Sequence, residues 1–287
     1  MDTTTWTIAR VLDWTRSFFD SKDIETARLD AELLIAHALD LSRIDLYLDH
    51  HRPLDAQELA SIRGLVQRRS QLEPIHYILG ERDFWSITLS VDSRVLIPRP
   101  DTEKLVELAL SNMDETTQNI LDLCTGSGAI ALALATECPQ VQVTATDISE
   151  DALAVARANA KNLNLNNVSF HQSDLFEGLQ TQFDVIVSNP PYIRSDDCKR
   201  LMVDVRDYEP LMALDGGQDG LDFYRQIVQT APKLLCSKGH LLLEIGHDQA
   251  SDLKSLVESS SEFDWINCHQ DLAGNDRVVH AQLRASD

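Results

Sequence analysis

Cationic side chains are scarce in this 287-residue sequence: 25 Lys and Arg stand against 46 Asp and Glu, a net charge of −21. That balance argues against a protein that tracks a phosphate backbone, because such binding relies on Lys and Arg displacing counterions. No direct nucleic-acid partner is therefore expected. Cysteine is also sparse. Cys124, Cys138, Cys198, Cys236 and Cys268 are odd in number and form no C-x-x-C pair, which fits a reducing cytoplasm and offers no zinc signature. The nine histidines include no H-E-x-x-H, so no metal is expected. No apolar run reaches the roughly 18 residues a membrane helix needs. The segment MDTTTWTIAR lacks the basic stretch and apolar run of a signal peptide. A cytoplasmic location is expected.

What the chain does have is a core. Hydrophobic residues make up 43% and charged residues 25%, enough for one large domain or one large and one small. Residues 1–75 read as a small helical domain. TARLDAELLIAHALDLS places Leu29, Leu33, Leu34, Ala38 and Leu41 at helical spacing with charges between them, and DAQELASIRGLVQRRSQ repeats the pattern through Leu59, Ile62, Leu65 and Val66. Asp55 followed by Glu58 has capping-box spacing. Residues 76–103 change character: FWSITLSV alternates as a strand or hairpin, and Gly80, Pro98 and Pro100 punctuate a linker. From residue 104 onward, strands such as NILDLC, VQVTATD, VSFHQSD, FDVIVSN and HLLLEIG alternate with helices. That order implies an α/β fold with a mostly parallel doubly wound sheet, Rossmann-like. VVHAQLRA reads as a last strand, antiparallel to the rest.

In LDLCTGSGAIAL, Gly126 and Gly128 follow a strand and open a helix, where the missing Cβ lets a ligand approach backbone. Asp147 ends the next strand, the position at which doubly wound nucleotide sites put a carboxylate for ribose hydroxyls. Asp174 is expected to end the third strand, within reach of an adenine amine. Together these favour a nucleoside ligand.

The segment VIVSNPPYI, residues 185–193, runs a buried strand into asparagine and two prolines. Following the fourth strand, beside the first in a doubly wound order, it is expected at the carboxyl edge next to the ligand crevice. Pro190 and Pro191 fix φ and offer no N–H, so the backbone presents mainly carbonyls. Those carbonyls and the Asn189 side chain can accept both hydrogens of one NH₂ group, while Tyr192 offers a flat face or a hydroxyl to a planar target. Amide and aniline-like nitrogens are poor nucleophiles because their lone pair is delocalised. Holding both hydrogens helps that pair localise, and alignment with an electrophilic methyl makes the step a positioned transfer.

Asn189-Pro190-Pro191-Tyr192 after a strand, with a D-x-x-x-G-x-G loop upstream, resembles the amino-methylating class of S-adenosylmethionine-dependent methyltransferases. LIPRPDTE (96–103), EPIHYILGERDFW (73–85), YEPLMALDGGQDGLDFYRQI (208–227), GNDRVV (274–279) and the N-terminal TARLDAELL resemble, more narrowly, the bacterial release-factor glutamine methyltransferases. The resemblance spans nearly the whole chain. It implies S-adenosyl-L-methionine as cofactor, class I peptide release factors as protein partners, and methylation of the glutamine in their Gly-Gly-Gln motif. The helical segment would then be a substrate-recognising domain. Carried across by motif, Cys124, Thr125, Gly126, Ser127 and Gly128 would form the cofactor loop, and Asp147 would hold the ribose. Asp174 and Leu175 would flank the adenine, with Asn189 also against the cofactor. Asn189, Pro190, Pro191 and Tyr192 would hold the glutamine, with Asn189, Pro190 and Tyr192 as the catalytic set.

Two departures stand out. The family usually has glycine at Cys124, where D-x-C-T-G-S-G resembles the sister enzymes that methylate a large-subunit ribosomal protein; RPDTE and the N-terminal part favour the release factor. Leu175 replaces an aromatic seen in some members. A nucleic-acid amine methyltransferase is a more distant alternative. Three further features remain open on sequence. Arg99 and Asp101 either position a ligand or close a linker as an ion pair. Glu244 either neighbours the site or caps the next element. Gly216-Gly217-Gln218 reads as an Asp- and Gly-rich turn, with self-methylation of Gln218 the remote alternative.

Overall fold

The structure is a computed structural model describing residues 5–285. Its chain forms two compact units: residues 5–80 together with 203–208, and residues 81–202 together with 209–285.

The first unit is helical: α1 (Ile8–Asp20), α2 (Ala27–Leu39), α3 (Asp45–Leu48), α4 (Ala56–Ser70) and α5 (Ile75–Leu79). Asp55 caps α4 through a complete capping box with Glu58, as its spacing predicts. Ile8, Phe19, Leu34, Ile35, Leu46, Ile62 and Val66 form the core. The buried face of α2 differs from the expected stripe. Leu29 is exposed and Leu33 half-buried, whereas Ala27, Asp30, Ala31 and Glu32 are buried. The acids turn inward because each finds cationic partners. Asp30 meets the buried Arg69 at 2.6 Å. Glu32 accepts hydrogen bonds from Arg28, Arg43 and Tyr47. The partners compensate the desolvation of the acids.

Gly64 lies exposed inside α4 with open space where a Cβ would stand. Gly64→Ala should raise stability against urea by about 0.8 kcal/mol through helix propensity alone.

The second unit opens with a hairpin, β1 (Glu81–Phe84) and β2 (Ile87–Ser90). Then come α6 (Glu103–Ser111), β3 (Asn119–Leu123), α7 (Ala129–Glu137), β4 (Gln142–Asp147), α8 (Glu150–Asn162), β5 (Val168–Gln172) and β6 (Phe183–Ser188). The chain continues through α9 (Ser195–Cys198), passes α10 (Val203–Arg206), which belongs to the first unit, and goes on through α11 (Asp222–Thr230), β7 (Leu235–Glu244), α12 (Ala250–Ser260), β8 (Phe263–Gln270) and β9 (Asp276–Leu283). One seven-stranded sheet runs β5-β4-β3-β6-β7-β9-β8. The first five strands in that order are parallel, and β9 is antiparallel to β7 and β8. Helices cover both faces, with α7 buried along residues 129–135 as its all-apolar sequence requires. The expected α/β architecture is borne out, with β3 and β6 adjacent. Among the described residues, no helix is long and apolar enough to cross a membrane.

Candidate active site

Strand register assembles the site. Leu123 of β3 pairs with Thr146 of β4 on one side and Ser188 of β6 on the other, and Ser188 pairs in turn with Leu243 of β7. One residue further, at the carboxyl edge, stand Cys124, Asp147, Asn189 and Glu244. Brought from four strands, they sit side by side where doubly wound sheets bind ligands.

A cavity of about 310 Å³ opens at this edge, within the range of small-molecule pockets. Its walls include Cys124, Gly126, Asp147, Asp174, Leu175, Asn189 and Pro191. A smaller hollow of about 50 Å³ also touches Cys124, Gly126 and Asn189, and adds Thr102, Thr125 and Ser127. Of the residues expected from sequence to hold cofactor or glutamine, Gly128, Pro190 and Tyr192 line neither. Gly128 instead caps α7, and Pro190 is buried.

Asp147 fastens the glycine loop to β4. Its Oδ2 accepts from the Gly126 N–H and its Oδ1 from the Ser149 N–H, both at 2.9 Å. Burial raises its pKa, and these N–H bonds partly offset the rise. Each oxygen retains a lone pair for a ligand hydroxyl. Asp174 lies two residues beyond the end of β5, not at the strand end as expected, and remains exposed. The chain turns there because Ser173 N–H bonds the Asp147 carbonyl, and Leu175 takes a left-handed φ of 50°. Cys124 also has a left-handed φ, 58°, a conformation that favours glycine. Burial, and then the charge of Asp147, push the pKa of its thiol up, so it stays protonated and unreactive.

Asn189 Nδ2 donates to Thr102 Oγ1 at 3.3 Å, which leaves Oδ1 as the acceptor of the side chain. Tyr192 has its pKa pushed up to about 12, by burial and then by the charge of Glu244, so it is a neutral phenol at any physiological pH.

The sequence shows the Gly216-Gly217-Gln218 turn but not that it holds this loop, and it gives no sign of Gln249. Ile193 N–H bonds the Leu214 carbonyl, Gly216 N–H bonds the Ile193 carbonyl, and Ser195 N–H bonds the Gly217 carbonyl. The Gly216-Gly217-Gln218 turn is therefore a strap laid along the asparagine–proline loop. A Cβ at Gly216 would stand 2.7 Å from the Pro191 carbonyl oxygen, and one at Gly220 2.4 Å from that of Tyr192. Buried Gln249 donates to the carbonyls of Tyr192 (3.0 Å) and Gly220 (3.2 Å), while its Oε1 accepts from Gly246 N–H. Gln249→Ala should lower turnover about 10- to 100-fold by freeing these carbonyls. Cofactor affinity, read by calorimetry, should change less than about threefold, because Gln249 does not line the cavity. Asp122, fully buried on β3, accepts from the Thr125 hydroxyl (2.6 Å) and the Ala131 N–H (3.1 Å), tying the glycine loop to the start of α7. The D of D-x-x-x-G-x-G is its only sequence signal. Arg99 and Asp101 form ion pairs, but not with each other: Arg99 meets Glu209 at 2.7 Å and Asp101 meets Arg277 at 3.3 Å.

Residues 10–80 match the PrmC N-terminal domain family, and residues 102–204 match the methyltransferase small domain family. A release factor glutamine methyltransferase from Geobacter sulfurreducens is 45% identical, over 97% of each chain. The chain belongs to the release factor glutamine methyltransferase family. A member from Rhodopirellula baltica is 41% identical, again over 97% of each chain. A methyltransferase from Pyrococcus furiosus, 19% identical, shares the fold with a TM-score of 0.52 over 69% of this chain and 89% of its own. The family resemblance read from the motifs is borne out. The methyltransferase small domain match encloses both the glycine loop and the asparagine–proline loop.

Proposed function

We propose that this protein transfers a methyl group from S-adenosyl-L-methionine to the side-chain amide nitrogen of the glutamine in the Gly-Gly-Gln motif of class I peptide release factors. The observation that carries the reading is Asn189, its amide anchored by Thr102, standing beside Pro191 in the wall of the acid-lined cavity. The cavity suits the cofactor. Asp147 keeps lone pairs for two ribose hydroxyls, Asp174 faces the pocket for an amine donor, and Val95, Leu96, Ile148, Leu175 and Phe223 supply apolar walls. When bound, the cofactor supplies an electrophilic methyl on a sulfonium.

The chain's own residues do the rest. Asn189 Oδ1 and the proline-loop carbonyls accept the two hydrogens of the glutamine NH₂ and hold its nitrogen in line. Tyr192, a neutral phenol, packs or donates and removes no proton. The proton released after transfer passes to water or through Asn189. Residues 1–75 act as the release-factor-recognising domain, residues 76–103 as the connector, and residues 104–287 as the transfer domain. The protein works in the cytoplasm, in keeping with its five free thiols.

Intact mass and peptide mapping of a release factor incubated with the protein and S-adenosylmethionine test this, with the large-subunit ribosomal protein in parallel. One added methyl on the Gly-Gly-Gln glutamine alone is expected, with Gln218 of the enzyme unmodified. Methyl on the ribosomal protein alone would overturn the substrate.

A further inference from the structure

The buried face of α8 carries one polar residue. Ala152, Leu153, Val155, Ala156 and Ala160 are apolar, and Asn159 among them is 1% exposed. Asparagine is a weaker helix former than alanine, and a buried amide must find partners for its oxygen and for both its hydrogens. Asn159 finds them all in backbone. Its Oδ1 accepts from the Ser90 N–H at 2.8 Å, and its Nδ2 donates to the Ser90 carbonyl and to the Ser127 carbonyl, each at 3.0 Å. The proposed methyl transfer gives this side chain no role.

The two backbones it joins lead to separate walls of the cofactor cavity. Ser127 belongs to the glycine loop, next to Gly126 in the cavity wall. Ser90 ends β2, and the chain runs on from it to Arg94, Val95 and Leu96, which line the cavity as well. The smaller hollow is bounded by Leu96 from one of these segments and by Ser127 from the other. Helix α8 also backs directly onto the loop: a Cβ at Gly128 would stand 3.2 Å from the Ala156 Cβ, one turn before Asn159.

We propose that Asn159 is a positioning residue for the cofactor, clamping the glycine loop to the chain that carries the 94–96 wall and so setting the separation of the two. The inference rests on the proposed use of S-adenosylmethionine and deepens it. Other bonds fix the rest of the loop. Thr125 N–H donates to the Thr146 carbonyl, Gly126 N–H to Asp147, and Gly128 N–H to the Thr125 carbonyl. The Ser127 carbonyl is the point at which the loop is tied to α8 and, through the same amide, to Ser90. Without that amide the two walls are no longer held to one side chain, and binding must include the cost of ordering them. Asn159 lines neither cavity and lies outside the asparagine–proline loop. Its loss therefore weakens cofactor affinity and spares transfer from the bound complex.

Calorimetry with S-adenosylmethionine tests this on wild type, Asn159→Ala, Asn159→Leu and Asn167→Ala, each checked for folding by circular dichroism and urea unfolding. Leucine has nearly the shape of asparagine, so it removes the bonds without leaving a void. Asn167, just before β5 at the amino edge of the sheet, is the control. Its Nδ2 bonds the carbonyls of Ala135, Cys138 and Val141, so Asn167→Ala gives up a comparable set of bonds away from the cavity. The cofactor Kd should rise at least about tenfold in both Asn159 variants, a loss expected of two or three hydrogen bonds, and less than about twofold in Asn167→Ala. With cofactor saturating, turnover and the KM for release factor should stay within about threefold of wild type in all of them. A further measurement needs no variant. The Ser90 N–H lies outside the cavity and is held by Asn159, so its hydrogen exchange in wild type should slow at least about fivefold when cofactor binds. An unchanged Kd in folded Asn159→Leu, an equal rise in Asn167→Ala, slower turnover with Kd unchanged, or Ser90 exchange indifferent to cofactor would each overturn the proposal. Wild-type protein that binds no S-adenosylmethionine would overturn the proposed function and this inference together. Cofactor binding as expected, without methylation of the release factor, would overturn the substrate alone.

Discussion

Asn189→Ala should reduce methyl transfer at least about 1000-fold while changing cofactor affinity less than about threefold. Removing a single preorganised hydrogen-bonding group from a reaction centre costs about 100- to 1000-fold in turnover, and loss of alignment adds to it. Alanine takes away the Asn189 Oδ1 acceptor and leaves a glutamine NH₂ held from one side. The cofactor cavity loses one wall atom group among many, since Asp147, Asp174, Ile148 and Leu175 remain. Asp147→Ala is the converse. It removes a carboxylate that holds the Gly126 and Ser149 N–H groups and that is proposed to hold the ribose. Cofactor Kd should rise about 100-fold, a loss typical of two hydrogen bonds to a charged group, and saturating cofactor should restore much of the turnover. Calorimetry with the cofactor, alongside single-turnover methylation of a release factor, separates the two variants. Wild-type turnover by Asn189→Ala would sink the acceptor-pair mechanism.

Much of this site was legible before any coordinates because its chemistry is written in short local motifs. Gly126, Asp147 and Asn189 each follow a recognisable apolar strand, and the doubly wound order then dictates that the strand ends converge. What stayed hidden was longer in range. Thr102, Glu209 and Gln249 act on the site across gaps of 87, 110 and 57 residues in sequence. A threonine before a helix or a glutamine after a strand carries no pattern that announces such a partner. The helical unit shows the same limit differently. Periodicity located α2 but misjudged its inner face, because the pairing of Asp30 with Arg69 from α4 made an acidic face buriable. Strand β8 escaped for a third reason: at the sheet edge only Phe263 is buried and the rest are half-buried or exposed, so FDWINCHQ lacks clean alternation.

Gly216→Ala should cost about 100-fold in turnover while leaving the fold and the cofactor site intact. The φ of Gly216 is not left-handed, so alanine suits its own backbone, and the penalty comes entirely from what the new methyl meets. That is backbone: the Pro191 carbonyl oxygen and the Tyr192 Cα, each at 2.7 Å. No rotamer change relieves such a contact, so one segment must yield. The strap is held by Ile193 N–H on Leu214, Gly216 N–H on Ile193 and Ser195 N–H on Gly217. Any shift is therefore shared with residues 191–195, and a displacement near 1 Å at the reacting group is enough for a loss of about 100-fold. The strain itself should lower stability by about 1–3 kcal/mol, measurable by urea unfolding. Gly64→Ala, whose added methyl meets nothing, controls for the substitution. The decisive comparison is turnover against cofactor Kd. Slow transfer with normal cofactor binding means that the glycine is there to let the substrate loop sit where it does. Normal transfer would mean that the asparagine–proline loop absorbs the shift and that its position is set by Gln249 and Thr102 alone.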